Sequence, residues 1–169
     1  MLRVENSTQE DIDIIFRLYD QAAEFQKTVF YKQWAGFDRN LIEKEISENR
    51  QWKIISDGEI ACIFAITFSD PLIWKEKDMD PSIYIHRIAT NPKFRGGGYV
   101  KEIINWAMSY APKIGKEFIR IDTWGDNERL KEYYLTCGFE YLGNTQMDDT
   151  DGLPKHYEGL SLALFQIKV

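Results

Sequence analysis

The stretch IYIHRIATNPKFRGGGYV, residues 83–100, decides how this chain is read. Ile83 to Ala89 is an apolar run, interrupted by His86 and Arg87, with the length and composition of a strand buried on both faces. Asn91-Pro92 ends it, because proline lacks an N–H and biases the residue before it towards extended backbone. Three consecutive glycines, Gly96 to Gly98, follow. Behind them Val100, Ile103, Ile104, Ala107 and Met108 recur at the spacing of one buried helix face. Glycine admits positive φ and puts no Cβ in the way of a ligand. Successive N–H groups at a helix N-terminus converge on an anion, assisted by the helix dipole. Arg95, with Lys93 and Lys101 nearby, adds positive charge. The chemistry implied is binding of a phosphate or pyrophosphate; the competing reading is a turn in which glycine only redirects the chain. Two well-known phosphate loops are excluded. The dinucleotide fingerprint needs Gly at position 101, where Lys stands, and no Gly-Lys-Ser/Thr run occurs.

On the N-terminal side, Leu2 to Glu5 reads as a short strand. Ser7 or Thr8 then caps a helix, with Thr8-Gln9-Glu10-Asp11 resembling a capping box, and Ile12, Ile15, Phe16 and Tyr19 form its buried face. Phe25 to Phe37 is aromatic-rich and irregular, and a second helix starts after Asp38 with Leu41, Ile42, Glu45 and Ile46 along it. Trp52 to Ile55, Asp57-Gly58 and Ile60 to Phe68 make a hairpin with a tight turn. Pro71 and Pro81 bracket a loop containing Trp74. On the C-terminal side, Pro112 and Gly115 close the glycine-led helix. Phe118 to Thr123 is a strand, Glu128 to Thr136 a helix with Gly138 at its C-terminal cap. Phe139 to Leu142 and Leu160 to Val169 are the last strands. The order predicts an α/β or α+β domain around one mixed sheet.

The chain has 169 residues, without repeats or a Pro/Gly/Ser-rich linker, so a single domain over 1–169 is expected. With 44% hydrophobic and 28% charged residues, a disordered or low-complexity chain is excluded. No apolar run reaches the roughly 20 residues of a membrane span, and Met1 to Glu5 does not open a secretory signal. Cys62 and Cys137 are too few for a disulfide framework and, with only His86 and His156 beside them, show no metal-ligand spacing. No metal and a reducing cytoplasm are therefore expected. Twenty-one basic against 27 acidic side chains give a net charge of −6. That disfavours nucleic acid as a partner and is compatible with a cationic amine substrate.

Residues 88–98 resemble the acetyl-coenzyme A motif of the GNAT N-acetyltransferases: Arg or Gln, two variable residues, Gly, one variable residue, then Gly or Ala. Arg95 and Gly98 match; the last position is Val100, a β-branched departure. A second match lies downstream, where Asn127, Tyr134, Gly138 and Phe139 stand at the family's spacing. The resemblance is close over Ile83 to Leu142. It implies a GNAT-like mixed central sheet of about six to seven strands flanked by about four helices, splayed between the strands at Ile83–Ala89 and Phe118–Thr123. It implies acetyl-coenzyme A as co-substrate. The main chain of Ile88, Ala89 and Thr90 would pair with its pantetheine arm. The N–H groups from Arg95 through Gly96, Gly97, Gly98 and Tyr99 to Val100 would hold the pyrophosphate, and Asn127 would stand beside the arm, although Asn127 also suits a plain helix N-cap. Tyr134 is the candidate general acid for the leaving thiolate, phenol and thiol being close in proton affinity; Tyr133 is its neighbour, and core packing is its alternative role. His86 is the candidate base, with Tyr84 or a water on an acidic side chain as alternatives. The acceptor pocket is expected from the Phe25–Phe37 segment, the loop around Trp74, and Tyr157. The activity implied is acetyl transfer to a primary amine, expected on a small molecule. A coenzyme A sensor with lost catalysis, favoured by Val100, and an acetylase of protein N-termini or lysines are the alternatives. A homodimer is compatible with the family.

Overall fold

The computed structural model describes residues 1–147 and 159–169. Tyr157 and His156 lie outside the described residues. The described chain forms β1 (Leu2–Asn6), α1 (Ile12–Val29), α2 (Arg39–Ser47), β2 (Gln51–Ser56), β3 (Glu59–Thr67), α3 (Pro71–Trp74), β4 (Ser82–Thr90), α4 (Tyr99–Tyr110), β5 (Phe118–Trp124), α5 (Glu128–Thr136), β6 (Glu140–Gln146) and β7 (Ser161–Lys168). The strands form a seven-stranded sheet in the order β1-β2-β3-β4-β5-β7-β6. Pairing of β4 with β5 is parallel, and of β1 with β2, β2 with β3, β5 with β7 and β6 with β7 antiparallel. This is the mixed sheet expected. The helix beyond the expected four is α3, a single turn in what the two prolines mark as a loop. Pro71 sits in its first turn, where the missing N–H costs nothing.

The chain divides into two compact units, Met1–Ile66 with Arg87–Tyr99, and Thr67–His86 with Val100–Val169. In the first, Asp57 (φ 51°) and Gly58 (φ 82°) both take left-handed backbone, the geometry of a two-residue hairpin turn. A single 3-10 turn, Gln9–Asp11, precedes α1. There the Thr8 N–H donates to Asp11 Oδ2 at 2.7 Å, and Lys53 Nζ on β2 lies 2.7 Å from the same oxygen, so one carboxylate ties the helix start to the sheet. Ile12, Ile15, Leu18 and Tyr19 of α1 bury against Ile42 and Ile46 of α2, Ile63 of β3 and Ala89 of β4. Each fully buried large side chain contributes about 1.5–3 kcal/mol. Helix α1 runs to Val29, so Phe25 is helical rather than in an irregular segment. Gln21 to Lys27 are mostly strong helix formers with no Gly or Pro, and propensity carries the helix past the end of its apolar stripe. Asp38 caps α2, its Oδ1 accepting from the Asn40 N–H at 3.0 Å.

In the second unit β7 pairs along all of β5, from Phe118↔Lys168 to Trp124↔Leu162. Arg120 on β5 is 1% exposed and satisfied by design of its neighbours. It donates to the Lys77 carbonyl at 2.6 Å, to Asp80 Oδ2 at 2.7 Å, to Tyr84 Oη at 3.2 Å and to Gln166 Oε1 at 3.3 Å. A buried charge is tolerable only with such a complete set of partners. Its guanidinium also lies over Trp74, 4.8 Å from the ring centroid. Trp74 is therefore core, not a loop ring. Strand β4 is buried from Ser82 to Ile85 and again at Ala89, while His86 to Ile88 are half-buried, so the expected two-sided burial holds only for its first half and for Ala89. Among the described residues no helix is long and apolar enough to cross a membrane.

Candidate active site

The turn after β4 is built by short-range hydrogen bonds. Asn91 donates its main-chain N–H to the Ala61 carbonyl at 2.8 Å and its side-chain amide to the Ile60 carbonyl at 3.0 Å. Its Oδ1 accepts from the Lys93 N–H at 3.1 Å, which starts a 3-10 turn through Pro92–Phe94. Two of the six N–H groups from Arg95 to Val100 are then used by the turn itself, Arg95 donating to Pro92 O at 3.3 Å and Gly97 to Phe94 O at 3.2 Å. The N–H groups of Gly96 and Gly98 have no such internal acceptor among the described residues. As first-turn residues, Tyr99 and Val100 lack an earlier carbonyl within α4. Gly96 (φ 85°) and Gly98 (φ 70°) are left-handed, and a Cβ at either would meet open space. Gly97 is needed for another reason: a Cβ there would lie 2.5 Å from the Tyr99 ring.

Charge around the turn is partly committed. The Arg95 guanidinium lies 3.8 Å from the Phe25 ring centroid, which removes Phe25 from the expected acceptor pocket and makes it a platform for the motif's arginine. Lys93 Nζ is 2.6 Å from Glu59 Oε2 and so is a partner of that carboxylate. Ala89 is fully buried, whereas Ile88 and Thr90 are half-buried. Thr90 Oγ1 lies 3.8 Å from the Cys62 sulfur, and burial pushes the Cys62 thiol up to about 12, far from a neutral-pH nucleophile.

One residue before Ile88, Arg87 has φ 53°, an unusual left-handed state for a side chain of its size. Its guanidinium contacts Glu45 Oε2 and lies over the Phe37 ring at 5.1 Å. Glu45 is buried, also reached by Gln51 Nε2 at 3.3 Å, and Gln51 Nε2 donates to Tyr19 Oη at 2.8 Å. This network anchors the half of β4 that leads into the glycine turn. The spacing of α2 puts Glu45 on the helix face with Ile42 and Ile46, but it does not reveal the partner that makes burial affordable.

In the second unit, Asn127 caps α5: its Oδ1 accepts from the Leu130 N–H at 3.2 Å. The N-cap role is thus present. Tyr134 is 7% exposed, with its ring against Phe139 and Phe165 at centroid distances of 5.8 and 5.5 Å; Tyr133 is 37% exposed. Burial raises the proton affinity of the Tyr134 phenol strongly, and the negative charge of Asp122 adds to it. The phenol therefore stays protonated, as a proton donor requires.

His86 Nε2 lies 3.4 Å from Asp70 Oδ2. Asp70, His86 and Asp122 each bring one side-chain atom within 4.8 Å of the other two. Burial, then the charges of Asp122 and Asp78, push Asp70 up to about 8; burial alone pushes Asp122 up to about 7. Neither carboxyl is among the residues expected from the sequence. Asp122 left a signal, as a lone acid in the apolar strand Phe118–Trp124. Asp70 left none, because an acid before a proline reads as a turn.

In the first unit a cleft of about 310 Å³ opens between α1 and residues 33–37. Tyr19, Trp34 and Phe37 supply aromatic walls, and Asp20 and Glu24 supply acid. Trp34 meets Tyr19 edge-on at 5.9 Å, so the expected aromatic segment does line a cavity, without Phe25.

The family described as "Acetyltransferase (GNAT) family" matches residues 15–139. The chain is 27% identical over 142 residues to the uncharacterized N-acetyltransferase YesJ of Bacillus subtilis (strain 168), covering 79% of each. It is 25% identical over 146 residues to the uncharacterized N-acetyltransferase MJ1207 of Methanocaldococcus jannaschii, covering 81% of this chain and 60% of that one. Among solved structures, a GNAT-family acetyltransferase from Listeria monocytogenes 4b F2365 superposes with a TM-score of 0.80 at 24% identity, over 99% of this chain and 95% of that one. The acetyltransferase yncA of Salmonella typhimurium, determined with acetyl-CoA, gives 0.69 at 11% identity over 99% and 94%. The glycine turn heading α4, the seven-stranded mixed sheet and these matches identify the chain as a member of the GNAT acetyltransferase family and as an N-acetyltransferase.

Proposed function

We propose that the protein moves an acetyl group from acetyl-coenzyme A to a primary amine of a small molecule, by direct attack within a ternary complex, in one catalytic domain. The observation that carries this reading is the glycine turn, where the Gly96 and Gly98 N–H groups have no internal acceptor among the described residues and both glycines take left-handed backbone. The residues fit the group: amides without an internal acceptor at a helix N-terminus suit a pyrophosphate, and the bound acetyl-CoA of the Salmonella typhimurium protein of similar fold supports it. When bound, acetyl-coenzyme A supplies an activated acyl thioester.

Gly96, Gly98, Tyr99 and Val100 hold the pyrophosphate through main-chain N–H groups, with Arg95, steadied on Phe25, adding positive charge. The main chain of Ile88, Ala89 and Thr90 pairs with the pantetheine arm. Registered pairing of β4 with β5 covers Ser82 to Tyr84 only, which supports a free main-chain edge further along β4. Asn127 fixes the start of α5 and so the position of Tyr134. Tyr134 donates a proton to the departing sulfur. His86 takes the proton of the incoming ammonium. The cleft beside α1, with Tyr19, Trp34 and Phe37 as walls and Asp20 and Glu24 as acids, has the chemistry to hold an apolar or cationic amine. Burial of the Cys62 thiol speaks against an acyl-cysteine step at that residue. The two cysteines, both free, accord with a reducing cytoplasm.

The test has two parts. Titration calorimetry with acetyl-coenzyme A should give saturable binding that Gly98→Val weakens. A panel of primary amines assayed for free coenzyme A thiol should show amine-dependent release. Binding without release over the whole panel would replace the enzyme by a coenzyme A sensor. No binding at all would remove both readings.

A further inference from the structure

The geometry points to Asp70, His86 and Asp122 as one proton-holding cluster that accepts the proton of the acceptor ammonium. The inference rests on the transfer reaction proposed above, and it assigns roles to two carboxyls that the reaction has so far not used.

The cluster follows from register. Tyr84 of β4 pairs with Arg120 of β5, and their side chains meet on one face, Arg120 Nη1 to Tyr84 Oη at 3.2 Å. Side chains alternate along a strand, so two residues further on His86 and Asp122 lie on that same face. Asp70 is delivered to them by a pinned turn: its N–H donates to Asp78 Oδ1 at 2.6 Å, and Ser69 Oγ donates to Asp78 Oδ2 at 2.9 Å. Asp70 is 8% exposed, and its Oδ2, 3.4 Å from His86 Nε2, makes no hydrogen bond among the described residues. An acceptor oxygen held dry in this way gains from any proton brought to it.

Asp70 Oδ2 accepts no hydrogen bond among the described residues and so offers a place for a proton. Arg120 shares the face but is committed to Asp80 and to the Lys77 carbonyl. Asp78, from the turn at Lys75–Met79, adds negative charge, and Tyr84 on β4 is a neutral phenol pushed up to about 12 by burial. Two carboxyls this close do not both ionise cheaply. Their proton affinities, about 8 and about 7, sit near the pH at which an ammonium must be relieved of its proton.

Tyr134 approaches from the other side of the strand. Its ring lies on Phe165, whose partner in the sheet is Ile121, the neighbour of Asp122 with opposite orientation. The charge on Asp122 holds the Tyr134 proton more tightly. The balance is complete. One ammonium proton goes to the cluster and from there to water. The freed nitrogen forms the C–N bond as the C–S bond breaks, and sulfur takes the Tyr134 proton. The second nitrogen proton restores the phenol.

The experiment compares an alkylamine from the panel with its β,β-difluoro analogue, whose nitrogen is largely unprotonated at pH 8. Asp122→Asn and His86→Gln should each lower kcat/KM for the alkylamine by about 100-fold or more, and the deficit should shrink at least tenfold on the fluorinated amine. Equal deficits on both amines, or none, would overturn the proposal, as would loss of wild-type turnover on dialysis against a chelator. A second measurement does not depend on turnover or on any variant's activity. Carboxyl carbon NMR of the free wild-type protein should show two aspartates titrating between about pH 6 and 9. All aspartates titrating below pH 5 would overturn the cluster even if acetyl transfer is fully established. If the midpoints stand but no amine is acetylated, the transfer reading fails and the proton role falls with it.

Discussion

Replacing Asp70 by Asn should flatten the dependence of stability on pH. The ordinary aspartate value is 3.8, and in the folded protein Asp70 is raised to about 8 and Asp122 to about 7. Between those limits each folded carboxyl holds a proton that the unfolded chain has released. Stability changes with pH in proportion to protons bound by the unfolded minus the folded state, which is negative here. Stability contributed by the neutral carboxyls is therefore present at low pH and lost as pH rises towards 7 and 8. Integrated from pH 5 to pH 7, each group contributes a loss of about 2.5 kcal/mol, at about 1.4 kcal/mol per pH unit. The wild type should thus lose up to about 5 kcal/mol over that interval, a large part of the stability of a small domain. Asp70→Asn removes one titration, keeps the shape and keeps the contact with His86. The raised value of Asp122 comes from burial alone, so it survives the substitution. The variant should lose only about half as much as the wild type over the interval. Urea unfolding at half-unit steps from pH 5 to 8 reads both slopes. A variant slope equal to that of the wild type would refute the burial argument for Asp70.

Tyr134→Phe should lower kcat by 100-fold or more while acetyl-coenzyme A affinity, read by calorimetry, changes less than threefold, roughly what loss of a general acid costs; the ring contacts with Phe139 and Phe165 survive, so melting should barely move. Gly96→Val places a β-branched side chain at φ 85° and should cost about 1–2 kcal/mol of stability together with at least tenfold in acetyl-coenzyme A affinity, whereas a control Gly115→Val, at φ 71° away from the glycine turn, should show the stability loss without the affinity loss. Glu45→Ala takes away the carboxylate partner of the half-buried Arg87 and should destabilise by about 3–5 kcal/mol in thermal or denaturant unfolding, whereas Glu43→Ala, an exposed partner of Arg39, should cost less than about 1 kcal/mol.

Local chemistry was enough to read much of this protein. Asp57-Gly58 demanded its hairpin because only left-handed backbone closes so short a turn, and both residues adopt it. The apolar stripe behind the glycines became α4, and Glu128 to Thr136 became α5 with those same ends. Gly96 and Gly98 were legible as candidates because a loop that bares its amides depends on neighbours along the chain, whereas Asn127 and Tyr134 came from the resemblance to the GNAT family. Phe25 and Trp74 were not legible. Whether an aromatic ring walls a pocket, carries an arginine or fills a core depends on what the fold brings to it, here Arg95 and Arg120. Asp70 and Asp122 are 52 positions apart in the chain. Burial raises both proton affinities, and for Asp70 the charges of Asp122 and Asp78 add to it, so no property of either residue type, spacing or charge count contains them. What the chain encodes locally is where it turns, caps and buries an apolar face; which ionisable groups share one dry space is a property of the folded arrangement, because desolvation and Coulomb energy depend on distance through space.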